Sequence, residues 1–402
     1  MDPKSGGPCQ GIRNTAPALG NLGVSNEVVC LDSPGADFIA NDNFKIHALG
    51  PATNPWGYSK LLLPWLIDNV RKFDAIIVHG LWLYPSHAVR KAMKVMSERN
   101  IDGQDVPWYI MPHGMLDPYF QNAPDRKIKA IRNTLYWKLI ESKVIENATG
   151  MLFTCQQELL LARETFKPYK PAKEINVGYG IQPPPDFCDE MKNSFEHHFI
   201  RKMDSGYFLF LSRIHPKKGV DNLINTYSQL LNENKSGIAS IPDLVIAGPG
   251  LDTDFGQRLL DLVRENELLK SKVHFPGMLR GDEKWGAFYG CEAFILPSHQ
   301  ENFGIAVAEA LACEVPVLIS DKINIWREIK DAGGGIVRSD SEEGTYQLLA
   351  SWSALSANQK SDMRIKAFEA YTQYFKINDN IETLIKALFP SFEGHVSDVN
   401  NA

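Results

Sequence analysis

The second half of the chain contains the feature that most constrains its fold. Short, mostly apolar runs at 207–211, 244–247, 273–275, 293–296, 315–319 and 335–337, polar only at His274, are mostly separated by stretches of helical period. A strand with one wet face alternates apolar and polar residues, so an uninterrupted apolar run must be covered on both faces. That is the pattern of a parallel sheet, with right-handed crossovers, helices on both sides and ligands at the carboxyl ends of the strands. The first half alternates less cleanly, with short runs at 28–31, 44–48, 75–78, 108–111 and 151–154, a further segment at 173–177, and helical periods at 86–99 and 126–146. The expectation is an α/β chain of two doubly wound, parallel-sheet, Rossmann-like domains facing across a cleft.

Ile181-Gln182-Pro183-Pro184-Pro185-Asp186 continues neither a helix nor a central strand and reads as the hinge. The predicted domains are 1–181 and 182–375. Residues 376–402 are expected to hold a helix, at about 378–388, that packs back on the first domain and is followed by a polar tail. At roughly 150 residues per domain, 402 residues suit this division.

With 42 basic against 48 acidic residues, a net charge of −6 disfavours nucleic acid as a partner. No apolar run approaches the roughly 18 residues of a membrane span, and the polar start Met1-Asp2-Pro3-Lys4-Ser5 lacks the apolar core of a signal peptide. Six cysteines, without a CxxC pair or nearby histidines, suggest neither disulfides nor zinc. A cytoplasmic protein is expected, with any membrane contact peripheral and at the inner face.

The most informative segment runs from Pro297 through Glu301-Asn302-Phe303-Gly304-Ile305 to Glu309 and Ala312. It follows a strand and opens an Ala-rich helix near Phe303, whose first free N–H groups attract phosphate. Glu309 lies about 8–9 Å along that helix at 1.5 Å per residue, near the span from a terminal phosphate to the ribose of a nucleoside diphosphate. Glu301, ahead of the helix, would face whatever the phosphates carry, with a hexose the natural candidate. Two glutamates eight apart mean little in isolation; the strand before them and the apolar helix around them give the pair its weight. A second constellation, Ser212-Arg213-Ile214-His215-Pro216-Lys217-Lys218-Gly219, follows the strand at 207–211. There Arg213 and Lys218, a fork and a point charge, suit a diphosphate.

Together with Leu244–Gly248 and Ala312-Cys313-Glu314-Val315-Pro316-Val317, these motifs resemble the retaining GT-B glycosyltransferases of family 4, strongly over 207–337 and more weakly before it. The resemblance implies that Arg213 and Lys218 hold the donor diphosphate, Glu309 the ribose and Glu301 the transferred sugar. It also implies that Asn302 and the amides of Phe303, Gly304 and Ile305 face the distal phosphate and sugar, and that the main chain near Gly277-Met278 meets the base. In the first half, Met111-Pro112-His113-Gly114 is similar to the family's His-Gly turn, which puts His113 beside the anomeric carbon as a catalytic group. Gly6-Gly7 resembles a glycine turn near the distal phosphate, and Gly7 is counted with the donor site. The family carries a strand before that turn, whereas this sequence starts only five residues earlier. Glu314 stands where the family usually has glycine.

Asp252-x-Asp254 reads as capping rather than as a metal pair, because Arg213, Lys218 and the helix dipole already supply positive charge; no metal or other cofactor is expected. The stretch 125–138 interleaves basic with aliphatic and aromatic residues, and a solvated face and a membrane contact stand side by side as its readings. Pro55-Trp56-Gly57-Tyr58 and Leu81-Trp82-Leu83-Tyr84 suit sugar stacking and core packing equally. The expected activity is retaining transfer of a hexose, with UDP-glucose the first choice of donor, to a saccharide or lipid-linked saccharide. A UDP-sugar 2-epimerase and a non-catalytic sugar-nucleotide binding protein are the alternatives.

Overall fold

The computed structural model describes residues 1–2, 7–99, 105–123, 126–199, 205–234, 237 and 240–390; Gly6, Asp125 and the tail beyond 390 lie outside them. The chain divides into two compact units, 1–180 with 377–402, and 181–376.

In the first unit β1 (Glu27–Cys30) pairs in parallel with β2 (Lys45–Ala48). A second parallel sheet runs β3 (Ile76–His79), β4 (Trp108–Met111), β5 (Gly150–Phe153), β6 (Glu174–Asn176), in that spatial order. Among the described residues the two pieces share no ladder. β4 shows why its run is apolar throughout. Trp108 and Ile110 enter one core with Val78, Trp137 and Phe153. Tyr109 and Met111 enter another with Leu152 and with Ile381, Ile385 and Leu388 of the helix Ile377–Leu388. Each fully buried side chain of this size contributes about 1.5–3 kcal/mol. The last helix is thus part of this unit's core, alongside Ala18 and Leu19 of the helix Gly7–Asn21.

Gly7 departs from the sequence expectation. It opens a helix instead of forming a turn after a strand, and a Cβ there would meet nothing within 4 Å. The close approach belongs to Gly11, where a Cβ would lie 2.4 Å from the Tyr179 hydroxyl. The stretch expected as one helix over 126–146 is also divided: Lys127–Tyr136, a wider π-type turn Trp137–Glu141, and Ser142–Asn147. That turn carries two fully buried residues, Trp137 and Glu141.

The second unit contains β7 (Tyr207–Leu211), β8 (Asp243–Ala247), β9 (Val273–Gly277), β10 (Ala293–Leu296), β11 (Val317–Ser320) and β12 (Gly335–Arg338). Its single parallel sheet has the order β12-β11-β10-β7-β8-β9. The chain moves outward from β7 to β9, then returns to the other side of β7 with β10. Strand order therefore reverses between β7 and β10, and a doubly wound sheet opens its ligand crevice at the carboxyl ends of such a pair. Cores on both faces hold these strands: all of β8 and β10 is buried. Asp243, a buried carboxylate of β8, is met by Lys272 Nζ at 2.8 Å and His274 Nε2 at 2.7 Å. Burial pushes its carboxyl up, and the hydrogen bonds from His274 and Lys272, with the lysine charge, outweigh that and hold it below the usual range.

Candidate functional site at the switch point of the second sheet

The loops after β7 and β10 are fastened to each other. His299 N and Ser298 Oγ donate to Lys217 O at 2.8 and 3.1 Å. Gly219 has φ 66°, and a Cβ there would fall 2.3 Å from Pro297 O, so only glycine lets the loops approach this closely. Across the junction Lys218 Nζ is ion-paired with Glu301 Oε2, the lysine being 6% exposed. The structure thus joins two residues that the sequence assigned separately, one to a diphosphate and one to a sugar. Arg213, earlier in the same loop, is exposed. Its guanidinium has no hydrogen-bond or ion-pair partner among the described residues.

Glu301 is set from a third direction. Its N donates to Lys322 O and its O accepts from Asn324 N, both at 3.0 Å, while Asn324 Nδ2 reaches Asn302 Oδ1 at 3.3 Å. The Phe303 ring packs edge-on against Phe375 and is buried, so this residue anchors the loop and leaves only its backbone to a ligand. The helix itself is Ile305–Ala312, two residues later than expected, with Gly304 at φ 76° as its N-cap. Its first amides have no acceptor within the helix.

Glu309, on that helix, accepts from Lys284 Nζ at 2.7 Å. Burial raises its carboxyl and the lysine opposes the rise. Lys284 comes from the helix Gly281–Gly290, after β9, and its ammonium also sits 4.2 Å from the Trp285 ring centroid. Sequence reasoning missed it. Met278, directly after β9, is exposed. Asp252 and Asp254 flank Thr253, and it is Thr253 that caps the helix Asp254–Glu265 by accepting from Gly256 N. Among the described residues no group of three His, Cys, Asp or Glu is placed to hold a metal.

In the first unit His113 follows β4 at φ 52° and Gly114 follows at φ 76°. Gly114 N donates to buried Glu158, which also accepts from Thr154 N at 2.8 Å and Thr154 Oγ1 at 2.6 Å, so the turn is pinned from the end of β5. His79, the last residue of β3, places Nδ1 2.9 Å from His113 Nε2, with the rings stacked at 5.2 Å. Desolvation lowers His79 to about 4 and takes His113 well below its ordinary value, with His79 adding to the latter. The histidine pair was not anticipated, although a signal exists: His79-Gly80 lies at the end of β3 and His113-Gly114 just after the end of its neighbour β4.

Residues 192–367 match the family described as Glycosyl transferases group 1. A D-inositol 3-phosphate glycosyltransferase of Kineococcus radiotolerans is 31% identical over 157 residues, which is 38% of this chain and 35% of the relative. The match therefore spans about a third of that relative's length. Among solved structures, sucrose-phosphate synthase of Thermosynechococcus elongatus superposes with a TM-score of 0.67 at 16% identity, covering 94% of this chain and 92% of that one. HepE of Anabaena, in complex with UDP and glucose, gives 0.66 at 14% identity over 91% and 92%. The chain has the GT-B fold, and its residues 192–367 carry the sequence pattern of glycosyl transferases group 1.

Proposed function

We propose that the protein is a retaining, metal-independent hexosyltransferase that takes a nucleotide diphosphate sugar, UDP-glucose by preference, and glycosylates a saccharide or lipid-linked saccharide. The observation that carries this reading is the Lys218–Glu301 pair at the β7/β10 switch point, with the unpartnered guanidinium of Arg213 in the same loop. Arg213, Lys218 and the amides opening Ile305–Ala312 neutralise the charge that grows on a departing diphosphate, an interaction strongest in the transition state. Glu309 takes the ribose hydroxyls, the main chain at Met278 the base, and Glu301 and Asn302 the hexose. His113, kept neutral, supports oxocarbenium character at the anomeric carbon. The acceptor oxygen bonds to that carbon on the face the leaving group vacates, the carbon–phosphate oxygen bond breaks, and the acceptor's proton passes to the diphosphate.

The reading is supported by the group 1 match over the donor half and by a fold shared with a UDP- and glucose-bound protein. The test is proton NMR of UDP-glucose turnover, with and without saccharide acceptors and with EDTA present. Release of UDP with α-configured glucose or glycoside is expected. A β-configured product, an epimerised nucleotide sugar, or turnover abolished by EDTA would each contradict the proposal.

A further inference from the structure

The stretch 126–140 carries five basic side chains and no acidic one, in a chain whose net charge is −6. Four large aliphatic residues stand out from it into solvent: Ile128 is 86% exposed, Ile131 66%, Leu135 58% and Leu139 69%. Their spacing of three, four and four puts them on one helical face. The same stretch packs inward through Asn133, Trp137 and Glu141, which are buried, so the aliphatic stripe lies on the side away from the core. An outward helix face is ordinarily polar, and single exposed leucines are unremarkable; an aligned row of four is neither. Lys127, Lys129, Arg132 and Lys138 flank the row and are themselves exposed.

Apolar exposure continues on neighbouring loops. Trp56 Nε1 donates to Tyr136 Oη at 2.6 Å, and the segments around Trp56 and Tyr84 expose Tyr58, Leu61 and Leu83. Aliphatic anchors bordered by cations suit a surface that is greasy within and negative at its rim. A second copy of the chain would bring five positive charges against five, which like-charge repulsion opposes. Among the described residues no helix is long and apolar enough to cross a membrane.

We propose that the helix Lys127–Tyr136 and the turn after it form a docking surface for an anionic lipid bilayer, lying in the plane of the interface with the aliphatic row at the acyl boundary and the basic residues among the headgroups. The claim stands apart from the transferase reading, because lipid binding and sugar turnover are measured separately.

The test is co-sedimentation of the full chain with vesicles of phosphatidylcholine alone and of phosphatidylcholine mixed with phosphatidylglycerol, at low and high salt, alongside analytical ultracentrifugation without lipid. Binding to the mixed vesicles is expected, weakened by salt and several-fold weaker on phosphatidylcholine alone. I131S/L135S is expected to reduce binding by about tenfold or more, from the apolar area withdrawn. K129E/R132E is expected to remove the preference for the anionic lipid. Both pairs are exposed, so thermal unfolding and UDP-glucose turnover in detergent-free buffer stay at the native values. The proposal is overturned if the native chain leaves both kinds of vesicle in the supernatant, or if both variants sediment like the native chain. It is equally overturned if the chain self-associates in a way that I131S/L135S abolishes while lipid binding is unaffected.

Discussion

Lys218 and Glu301, 83 residues apart in sequence, form an ion pair that ties the loop after β7 to the loop after β10. The pair closes the point where strand order reverses, and Arg213, in the same loop as Lys218, has a guanidinium without a partner among the described residues. Lys218 is therefore a buried, paired cation, while the guanidinium of Arg213 is exposed.

That difference separates two substitutions. Arg213→Ala is expected to lower turnover at saturating donor by about tenfold to a hundredfold, and to leave unfolding stability within about 0.5 kcal/mol, because the guanidinium has no partner to lose. Lys218→Met, which strands Glu301, is expected to lower both turnover and stability, the latter by about 1–3 kcal/mol. Steady-state kinetics beside urea titration read out the contrast.

Glu309 is pushed up by burial and restrained by Lys284. If its carboxylate accepts from ribose hydroxyls, UDP affinity falls as pH drops through this raised value. Lys284→Met removes the restraint, and the fall should then begin at a higher pH. Calorimetric titration of UDP across the acid range checks the order of the two curves.

Glu314 sits at φ 59°, where the helix Ile305–Ala312 ends with Glu314 N and Val315 N bonded back to Leu311 O and Ala310 O. A side chain in this left-handed region costs about 1–2 kcal/mol that glycine avoids. Glu314→Gly should raise thermal stability accordingly, less the greater freedom it gives the unfolded chain, and leave turnover unchanged.

Glu141 is fully buried, its Oε1 accepting from Trp82 N at 2.7 Å and Ser86 Oγ at 3.0 Å while Oε2 has no hydrogen-bond partner among the described residues. Desolvation raises its carboxyl to about 7. An acid with a raised folded value binds its proton more tightly folded than unfolded, so stability from this group is greatest below the unfolded value near 4.3 and is lost as pH climbs to about 7. Glu141→Gln should flatten this part of the profile, measured as urea midpoints from pH 5 to 8.

The strands were legible in the sequence because parallel strands buried on both faces must be apolar throughout, as Trp108–Met111 and Ala293–Leu296 are. The loops bearing Arg213, Lys218 and Glu301 were legible because a doubly wound sheet sends every strand's carboxyl end to one edge. Lys284 was not, since nothing in a helix 17 residues before Glu301 says which carboxylate it will meet. Glu158, which sequence reasoning did not single out, is buried and accepts from Gly114 N. The turn geometry that the resemblance implied for Gly7 was not legible locally, because helix formation from Gly7 onward needs only the residues that follow it.

The central claim is that the carboxyl edge between β7 and β10 is one metal-independent site for a nucleotide diphosphate sugar. Calorimetric titration of UDP, GDP and ADP into the native chain and Arg213→Ala, each with and without EDTA, tests it most directly. The account predicts selective UDP binding that survives EDTA and weakens in the variant. Failure of all three to bind, binding that requires a metal, or a variant that binds like the native chain would contradict it.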